Sequence, residues 1–221
     1  MKKLLTLSLM IVFLLFDLTL AENPPKKKAP THRFGLYGGV MLSQGEFAST
    51  KGSKAGFANN GIGLMAEFVQ YTKYHINWIS SVSFTNHSFK AGAFQDQHSE
   101  YGITADNYFT TWIMTGISHS HSFGPMLSIY GLIQGGLLLS KYPDIYYAIT
   151  QGDFKEYKEE MSLGKAFAYG IGGGVRYTFI NLGVRYYMAY PEYQQTSPFH
   201  QGTASKNLPA KILQVVFGIN F

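Results

Sequence analysis

The chain contains no cysteine, and this absence excludes several ways of holding or anchoring an exported protein. Disulfide bonds, on which many small secreted domains depend, cannot form. A lipoprotein anchor is excluded too, because that lipid is attached to a cysteine thiol. The fold must therefore be held together by packing and hydrogen bonding alone.

Charged residues are also scarce. Only 14% of the residues are Asp, Glu, Lys or Arg, whereas a soluble domain usually has about a quarter. The formal net charge of +5 is not concentrated into a basic face, so we do not expect a nucleic-acid partner. In contrast, 16 Tyr, 17 Phe and 24 Gly are present. This composition favours a sheet with much of its surface in lipid.

The chain begins with the three parts of a secretory signal. The short cationic start at residues 1–3 is followed by an apolar run at 4–16, and small residues precede a cleavage site after Ala21. An uncleaved membrane anchor is the alternative, but the run is short of the about 20 residues needed to span a bilayer. Asp17 also interrupts it. We therefore predict a signal peptide over residues 1–21.

Residues 22–32 form a segment rich in proline and lysine. Three closely spaced prolines exclude a helix or a central strand, so we expect an extended, solvated periplasmic lead-in. The lysines at 26–28 act either as a solubilising tether or as a contact to anionic lipid head groups. Removal of the signal peptide lowers the formal net charge from +5 to +4.

After Arg33, bulky apolar residues alternate with small or polar ones. Alternation with a period of two predicts β-strands. Eight candidate strands lie at residues 34–43, 62–69, 76–85, 108–117, 129–140, 167–179, 183–190 and 212–221. In the fourth of these, at 108–117, the pattern leaves open which residues share a face.

The two faces of this alternating pattern distinguish a membrane barrel from a soluble one. A soluble, lipocalin-like barrel fills its interior with large apolar side chains. Here one face carries bulky apolar groups and the other carries Gly, Ala, Ser, Thr and Gln. Small and polar groups fit the narrow lumen of an eight-stranded barrel, and lipid contacts the bulky face. We therefore predict an all-β fold, an eight-stranded antiparallel up-and-down transmembrane β-barrel over residues 33–221.

The predicted connections alternate between short and long. The short ones lie at 71–74, 119–124 and 179–182, and the long ones at 44–60, 89–105, 141–165 and 191–209. In an up-and-down barrel this order places all long loops on one rim. Outer-membrane barrels have long extracellular loops and short periplasmic turns. We therefore expect four extracellular loops, with both chain ends on the periplasmic side.

A few charged residues fall on the inward face. If residues 180–181 form a two-residue hairpin turn, Arg176 lies directly opposite Arg185. Opposed arginines repel each other unless an acid lies between them, and Glu67 is inward by parity. We predict a structural network that plugs the lumen, formed by Glu67, Arg176 and Arg185 with Gln134 or tyrosine hydroxyls.

The last strand resembles the closing strand of bacterial outer-membrane barrels. Residues 213–221, Leu-Gln-Val-Val-Phe-Gly-Ile-Asn-Phe, end in Phe after apolar residues at every second position. Segments 128–137 and 168–177 are similar to the fifth and sixth strands of OmpA/OmpX-type small outer-membrane barrels. The resemblance implies a cell outer-membrane location in a Gram-negative-type bacterium. It also implies that the barrel-assembly machinery reads an assembly signal at Phe217, Ile219 and Phe221.

Two short patterns could indicate chemical sites, namely a phosphate-binding loop and a hydrolytic site. Residues 170–174, Gly-Ile-Gly-Gly-Gly, continue into a strand rather than the helix that a phosphate loop needs, so we interpret them as barrel glycines beside aromatic neighbours. His87 and Ser88 lie near the outer rim, where lipid A deacylase barrels place a His and a Ser. Neighbouring residues on a strand point to opposite faces, whereas a hydrolytic site needs the base and the nucleophile on the same face. We therefore do not expect catalysis at His87 and Ser88.

The remaining polar and aromatic clusters have structural interpretations. His119 and His121 could hold a metal within a turn, but no third ligand is near in sequence, so we expect a polar periplasmic turn. The run at 155–160 has mixed charge and predicts a solvated surface. An interfacial aromatic belt at the outer rim is expected from Tyr142, Tyr146, Tyr147, Tyr190 and Tyr193.

The function that fits best is structural or surface-interacting, in the manner of an adhesin, through the four long extracellular loops. The alternatives are an outer-membrane lipid-modifying enzyme resembling lipid A deacylase, or a narrow pore, although side chains fill an eight-stranded lumen. We expect no enzymatic activity, catalytic residue, cofactor or metal. The expected partners are outer-membrane lipid, the assembly machinery, and an extracellular ligand or host surface.

Overall fold

In the computed structural model, the described residues are 32–72, 76–97, 102–149, 155–196 and 203–221. They lie within one compact unit. The predicted signal peptide and the lead-in up to residue 31 lie outside the described residues, so those predictions stay predictions. No helix in the described ranges has the length and apolarity required to cross a membrane.

The described residues are predominantly β-structure. The strands are β1 (His32–Ser43), β2 (Ala58–Gln70), β3 (Ile76–Phe89), β4 (Gly102–Ala105), β5 (Tyr108–Phe123), β6 (Leu127–Lys141), β7 (Ile145–Ile149), β8 (Lys155–Met161), β9 (Leu163–Tyr177), β10 (Ile180–Ala189), β11 (Glu192–Thr196), β12 (Thr203–Asn207) and β13 (Ala210–Asn220). A 3-10 helix, Gly45–Phe47, and one short α-helix, α1 (Ala91–Gln95), lie in the connections.

Eight of these strands close into a barrel. Strands β1, β2, β3, β5, β6, β9, β10 and β13 pair in that order, each antiparallel to the next. Strand β13 then pairs antiparallel with β1, with Val40 opposite Val215, and this pairing completes the cylinder. The predicted eight-stranded antiparallel up-and-down barrel is confirmed.

The two faces of the barrel wall differ in polarity, as the alternation predicts. Large apolar side chains point outward and are exposed, including Leu36, Val40, Ile62, Leu64, Phe84, Ile133, Leu137, Ile171 and Phe217. Small and polar side chains point inward and are buried, including Ser81, Ser83, Thr85, Gln134 and Gln214. An apolar exterior around a polar interior is the surface of a transmembrane barrel.

The sequence pattern left open which residues of β5 face the lumen, and the neighbouring strands decide this. Phe109, Ile113 and Ile117 are exposed, whereas Thr110 and Trp112 are buried. The strand pairs with β3 and β6 over its length, so its inward residues must match theirs. Even-numbered residues of β5 therefore face the lumen.

The hairpin between β9 and β10 differs from the predicted register. Tyr177 pairs with Ile180, so the turn consists of Thr178 and Phe179, and Arg176 lies opposite Asn181 rather than Arg185. Thr178 adopts a positive φ of 53° to make this turn. The predicted turn at 180–181 is wrong because Asn181 is needed inside the barrel, where its buried amide forms two side-chain hydrogen bonds.

The long connections are themselves folded. We call the described parts of residues 44–57, 90–107, 142–162 and 190–209 the loop cap. Within it β4 pairs with β7, β7 with β8, β8 with β11, and β11 with β12. Strand β11 also pairs with β9 of the barrel, through Glu192 and Lys165. The sequence patterns predicted loops here and missed these strands.

Candidate functional site

A buried ion pair lies inside the barrel. The guanidinium of Arg185 donates from Nη2 to Oε2 of Glu67. Arg185 is 0% exposed and Glu67 is 1% exposed. The pair joins β10 to β2, which are not neighbours in the wall, so the bond crosses the lumen. Such a buried pair needs further hydrogen bonds to offset the cost of removing both charges from water.

A chain of hydrogen bonds extends this pair across the lumen. Arg185 donates from Nη1 to the hydroxyl of Tyr187 at 3.4 Å, and that hydroxyl donates to Oε1 of Gln134 at 2.8 Å. The amide nitrogen of Gln134 donates to Ser81 Oγ at 3.2 Å. The structure therefore brings three of the four predicted network residues into one connected network, in which a tyrosine hydroxyl links Arg185 to Gln134.

A second group of polar side chains lies near the end of the lumen at which the short turn of residues 178–179 is found. We call this end the turn end. The Tyr37 hydroxyl is 2.7 Å from Asn220 Oδ1 and 3.2 Å from Glu67 Oε1, and its single proton serves one of these acceptors at a time. Asn181 Nδ2 donates to the same hydroxyl at 3.1 Å. The Tyr130 hydroxyl donates to Asn181 Oδ1, also at 3.1 Å. This group connects the Glu67 carboxylate to side chains on β1, β6, β10 and β13.

Arg176, the fourth predicted network residue, is inside the lumen but outside the hydrogen-bonded network. Its guanidinium carbon lies 4.0 Å from the centre of the Tyr130 ring. Its Nε and Nη2 are buried without a hydrogen-bond partner among the described residues. Arg33, which is not among the predicted network residues, lies nearby, with Nη2 at 3.8 Å from Glu67 Oε1.

Glycines make room for the large inward rings. A side-chain carbon at Gly170 would overlap the ring of Tyr187, and one at Gly35 would overlap that of Tyr37. A side-chain carbon at Gly183 would lie 2.6 Å from the Tyr130 hydroxyl. Gly170 lies within strand β9, so the interpretation of residues 170–174 as barrel glycines beside aromatic neighbours is confirmed.

The predicted positions of His87 and Ser88 on opposite faces agree with the structure. His87 is buried, with Nδ1 at 3.0 Å from Ser43 Oγ and Nε2 at 3.2 Å from Thr85 Oγ1. Ser88 is exposed on the other side of β3. No carboxylate is hydrogen-bonded to His87 among the described residues, and Phe47 covers its ring at a centroid distance of 5.4 Å. His87 therefore belongs to a buried polar layer beneath the loop cap.

Two other expectations need correction. His119 and His121 lie within strand β5, which continues to Phe123, and not in a turn. No group of three or more metal-ligating side chains is found in the part of the chain that the structure describes. The expected aromatic belt is also different, because Tyr142, Tyr147 and Tyr193 are buried within the loop cap rather than exposed at an interface.

The loop cap has its own hydrophobic core. Ring contacts run from Phe47 to Tyr108 at 5.0 Å, from Tyr108 to Tyr142 at 5.0 Å, and from Tyr142 to Tyr193 at 5.6 Å. These rings come from separate connections and from the rim of the barrel, so the core ties the cap together over the lumen. Burial raises the pKa of the Tyr142 and Tyr193 hydroxyls above their ordinary value.

Polar contacts fix the outer strands of the cap to one another. Glu159 accepts hydrogen bonds from the Tyr147 hydroxyl at 2.9 Å and from Gln195 Nε2 at 2.6 Å. Lys158 lies 3.2 Å from Asp144, and hydrogen bonds to Glu160 and Asp144 raise the pKa of this exposed amine. Burial lowers the pKa of Lys206, which Glu159 partly offsets. The run at 155–160 is therefore partly a solvated surface and partly, at Glu159, a buried anchor.

Solved structures with a similar fold are small outer-membrane barrels. A major outer membrane protein from Thermus thermophilus aligns with a TM-score of 0.52 and 9% identity, over 87% of this chain and 99% of that one. This chain has the fold of a small outer-membrane β-barrel. The predicted resemblance is confirmed at the level of the fold, and the predicted outer-membrane location agrees with it.

Two further structures align with lower scores. Ail, the attachment invasion locus protein of Yersinia pestis, gives a TM-score of 0.48 at 12% identity, over 87% of this chain and 100% of that one. Neisserial surface protein A gives 0.46 at 11% identity, over 88% and 98%. No protein-family profile matches the sequence, and no curated protein matches it.

Proposed function

We propose that this protein is an outer-membrane surface barrel that binds an extracellular partner through its loop cap, in the manner of an adhesin. The observation that carries the proposal is the folded state of the cap. Its strands pair with one another and with β9, and its aromatic core is buried. A preformed surface loses less conformational entropy on binding than free loops do.

The character of the exposed cap supports a polar partner. Lys158 and Glu160 form an exposed ion pair at 2.6 Å, and Lys141 lies 3.8 Å from Asp144. Charged side chains of both signs lie side by side on this surface, which favours specific recognition over general attraction to one charge. With low overall charge, the proposal includes no nucleic-acid partner.

The contents of the lumen support a structural role for the barrel wall. The Glu67–Arg185 pair and its hydrogen-bonded neighbours lie inside the cylinder and are joined across it. The aromatic core of the cap lies over one end. Side chains normally fill a barrel of eight strands. We therefore propose a rigid, plugged scaffold rather than a pore.

The proposal includes no lipid hydrolysis. Hydrolysis at the rim would need His87 and Ser88 on one face, with a carboxylate orienting the base. The two side chains lie on opposite faces of β3, and this separation supports a non-enzymatic role. For biogenesis, we propose that the assembly machinery reads Phe217, Ile219 and Phe221, which are exposed on β13 and at the end of the chain.

The test compares cells that display the wild-type chain with cells that display two cap variants. One variant replaces the β11–β12 hairpin, residues 192–207, by a short turn, and the other replaces the β7–β8 hairpin, residues 145–161. A change in gel mobility on boiling shows that each barrel is folded. We expect wild-type cells to bind host-cell surfaces or matrix proteins and both variants to lose this binding.

A matched control alters the opposite rim, with Phe179→Ala at the turn end. This variant should bind as the wild type does. Equal binding by folded cap variants and the wild type would contradict the proposal. Steady single-channel conductance of the wild type in a planar bilayer would contradict the plugged lumen and favour the pore.

A further inference from the structure

Two arginines at the turn end of the lumen have more hydrogen-bond donors than the described residues satisfy. Arg33 lies on β1 opposite Val69, and Arg176 lies on β9 next to the turn at residues 178–179. Within the described ranges, Nε and Nη2 of both side chains are buried without a hydrogen-bond partner. Arg176 is 5% exposed and the Arg33 side chain is 13% exposed.

The charges in this part of the lumen do not balance. Arg33, Arg176 and Arg185 face a single described acid, Glu67. Arg185 holds that carboxylate directly, whereas Arg33 reaches it only at 3.8 Å. Two positive charges are therefore left over among the described residues. A buried guanidinium without a counter-charge or hydrogen-bond acceptor is strongly unfavourable.

The guanidiniums of Arg33 and Arg176 lie over two tyrosine rings that belong to one cluster of side chains. Arg176 stacks on Tyr130 at 4.0 Å, and the guanidinium of Arg33 lies 5.8 Å from the centre of the Tyr71 ring. Tyr71 packs against the cluster that contains Tyr130. Both guanidiniums therefore lie beside the same cluster of side chains, and both carry unsatisfied donors there.

We propose that Arg33 and Arg176 form a binding site for a small oxyanion of the phosphate class at the turn end of the lumen. A tetrahedral oxyanion accepts several hydrogen bonds at once and matches the planar fork of a guanidinium. Chloride has no such geometry. The partial exposure of Arg33 leaves a route into the site from the turn side. This site is independent of the loop cap and of its proposed partner.

The first experiment locates the anion in the unaltered protein. Crystals of the full barrel in detergent are soaked with selenate, whose selenium gives anomalous scattering. We expect an anomalous peak within hydrogen-bond distance of both Arg33 and Arg176. No peak at this position at millimolar selenate would overturn the proposal, and this result does not depend on any variant folding.

The second experiment measures unfolding by urea in inorganic phosphate and in chloride at equal ionic strength. The wild type should unfold at higher urea in phosphate, because a ligand that binds the folded state stabilises it. The double variant Arg33→Gln and Arg176→Gln should lose this difference. In chloride it should be at least as stable as the wild type, because the excess positive charge in the lumen has been removed.

A matched variant, Lys165→Gln, removes an exposed cation of β9 at the opposite rim. It should keep the full phosphate response. A phosphate response that persists in the double arginine variant would overturn the proposal. A double variant that is less stable than the wild type in both buffers, by the same amount, would show a merely structural role and would overturn it as well.

Discussion

Arg185 and Glu67 form an ion pair across the lumen of the barrel, and both side chains are buried. The two strands that carry them, β10 and β2, are separated in the wall by β13 and β1. The pair therefore braces the cylinder across its interior, where backbone hydrogen bonds between neighbouring strands cannot act. Breaking it should affect the stability of the whole barrel.

The first prediction concerns the two halves of this pair. Glu67→Gln leaves Arg185 buried without a counter-charge, and we expect a loss of about 3–5 kcal/mol in the free energy of unfolding. Arg185→Gln should cost less, because Arg33 lies 3.8 Å from Glu67 and can take up the carboxylate. Urea unfolding in detergent, followed by tryptophan fluorescence, measures both values.

The double variant, with Gln at both positions, is the control for this prediction. We expect it to be more stable than Glu67→Gln alone, because the unpaired charge is gone and the two amides can hydrogen-bond. Strict additivity of the two single losses would show that Glu67 and Arg185 do not interact.

The second prediction concerns the fit between glycines and rings. Gly170→Ala should destabilise the barrel by about 1–3 kcal/mol, because the added carbon overlaps the buried ring of Tyr187 and forces it to move. Gly131→Ala is the matched control, since a side-chain carbon there would lie 4.0 Å from its nearest neighbour, the Gly172 oxygen. Equal unfolding midpoints for the two variants would refute this account of the inward glycines.

The third prediction is a loss of cap structure at alkaline pH. Burial raises the pKa of Tyr142 and Tyr193 in the folded cap, whereas an unfolded tyrosine ionises at about 10. The unfolded state therefore binds fewer protons above pH about 10, and the stability of the cap must fall as the pH rises further. Below that pH their contribution is fully present. Limited proteolysis across this range measures the transition.

Phenylalanine at these positions tests the cause. Tyr142→Phe and Tyr193→Phe should each move the alkaline loss of protection to higher pH, even though Tyr193→Phe also removes the hydrogen bond to Ser140. Tyr190→Phe, at an exposed ring, should leave the transition where it is. If the transition occurs at the same pH in all three variants, groups other than Tyr142 and Tyr193 cause the opening of the cap at alkaline pH.

The fourth prediction concerns the end of the chain. Phe221 is 70% exposed, so its side chain adds little to packing within the barrel. If it belongs to an assembly signal, Phe221→Ala should lower the amount of folded barrel in the outer membrane of growing cells. The purified variant, refolded in detergent, should unfold at the same urea concentration as the wild type. Membrane fractionation and urea titration measure the two effects.

Phe179→Ala is a suitable comparison, because this residue is also aromatic, exposed and at the turn end. Its level in cells should match the wild type. If the amount of folded barrel falls equally in both variants, the loss of any exposed aromatic side chain impairs insertion, and Phe221 is not part of a specific signal.

Local patterns in the sequence were sufficient for the barrel wall. A strand turns each side chain to the opposite face from the last, so the side of Leu36 or Glu67 can be counted along the chain without knowing any partner. Inward arginines on β9 and β10 followed from the same counting. The alternation does not fix the position of a turn, because several short segments can reverse the chain. The register at Asn181 was accordingly predicted wrongly.

Other features depend on which segments meet in space. Whether Thr110 or Phe109 faces the lumen follows from the pairing of β5 with β3 and β6. The burial of Tyr142 and Tyr193 follows from contacts between connections that are far apart in the chain. The sequences of these connections contain too many polar residues to show a regular alternation, so the pattern did not predict the burial.

The amino-acid sequence alone determined that the bulky apolar face of the sheet would point outward into lipid. The reason is that side chains alternate along each strand, so the pattern assigns each residue to the lipid or to the lumen. The tertiary structure decided which charges meet. Arg185 obtains the Glu67 carboxylate, whereas Arg33 and Arg176 are left with donors that no described residue satisfies. Only the closed cylinder brings strands β1, β2, β9 and β10 around one narrow space, and the geometry of that space selects the pair that forms.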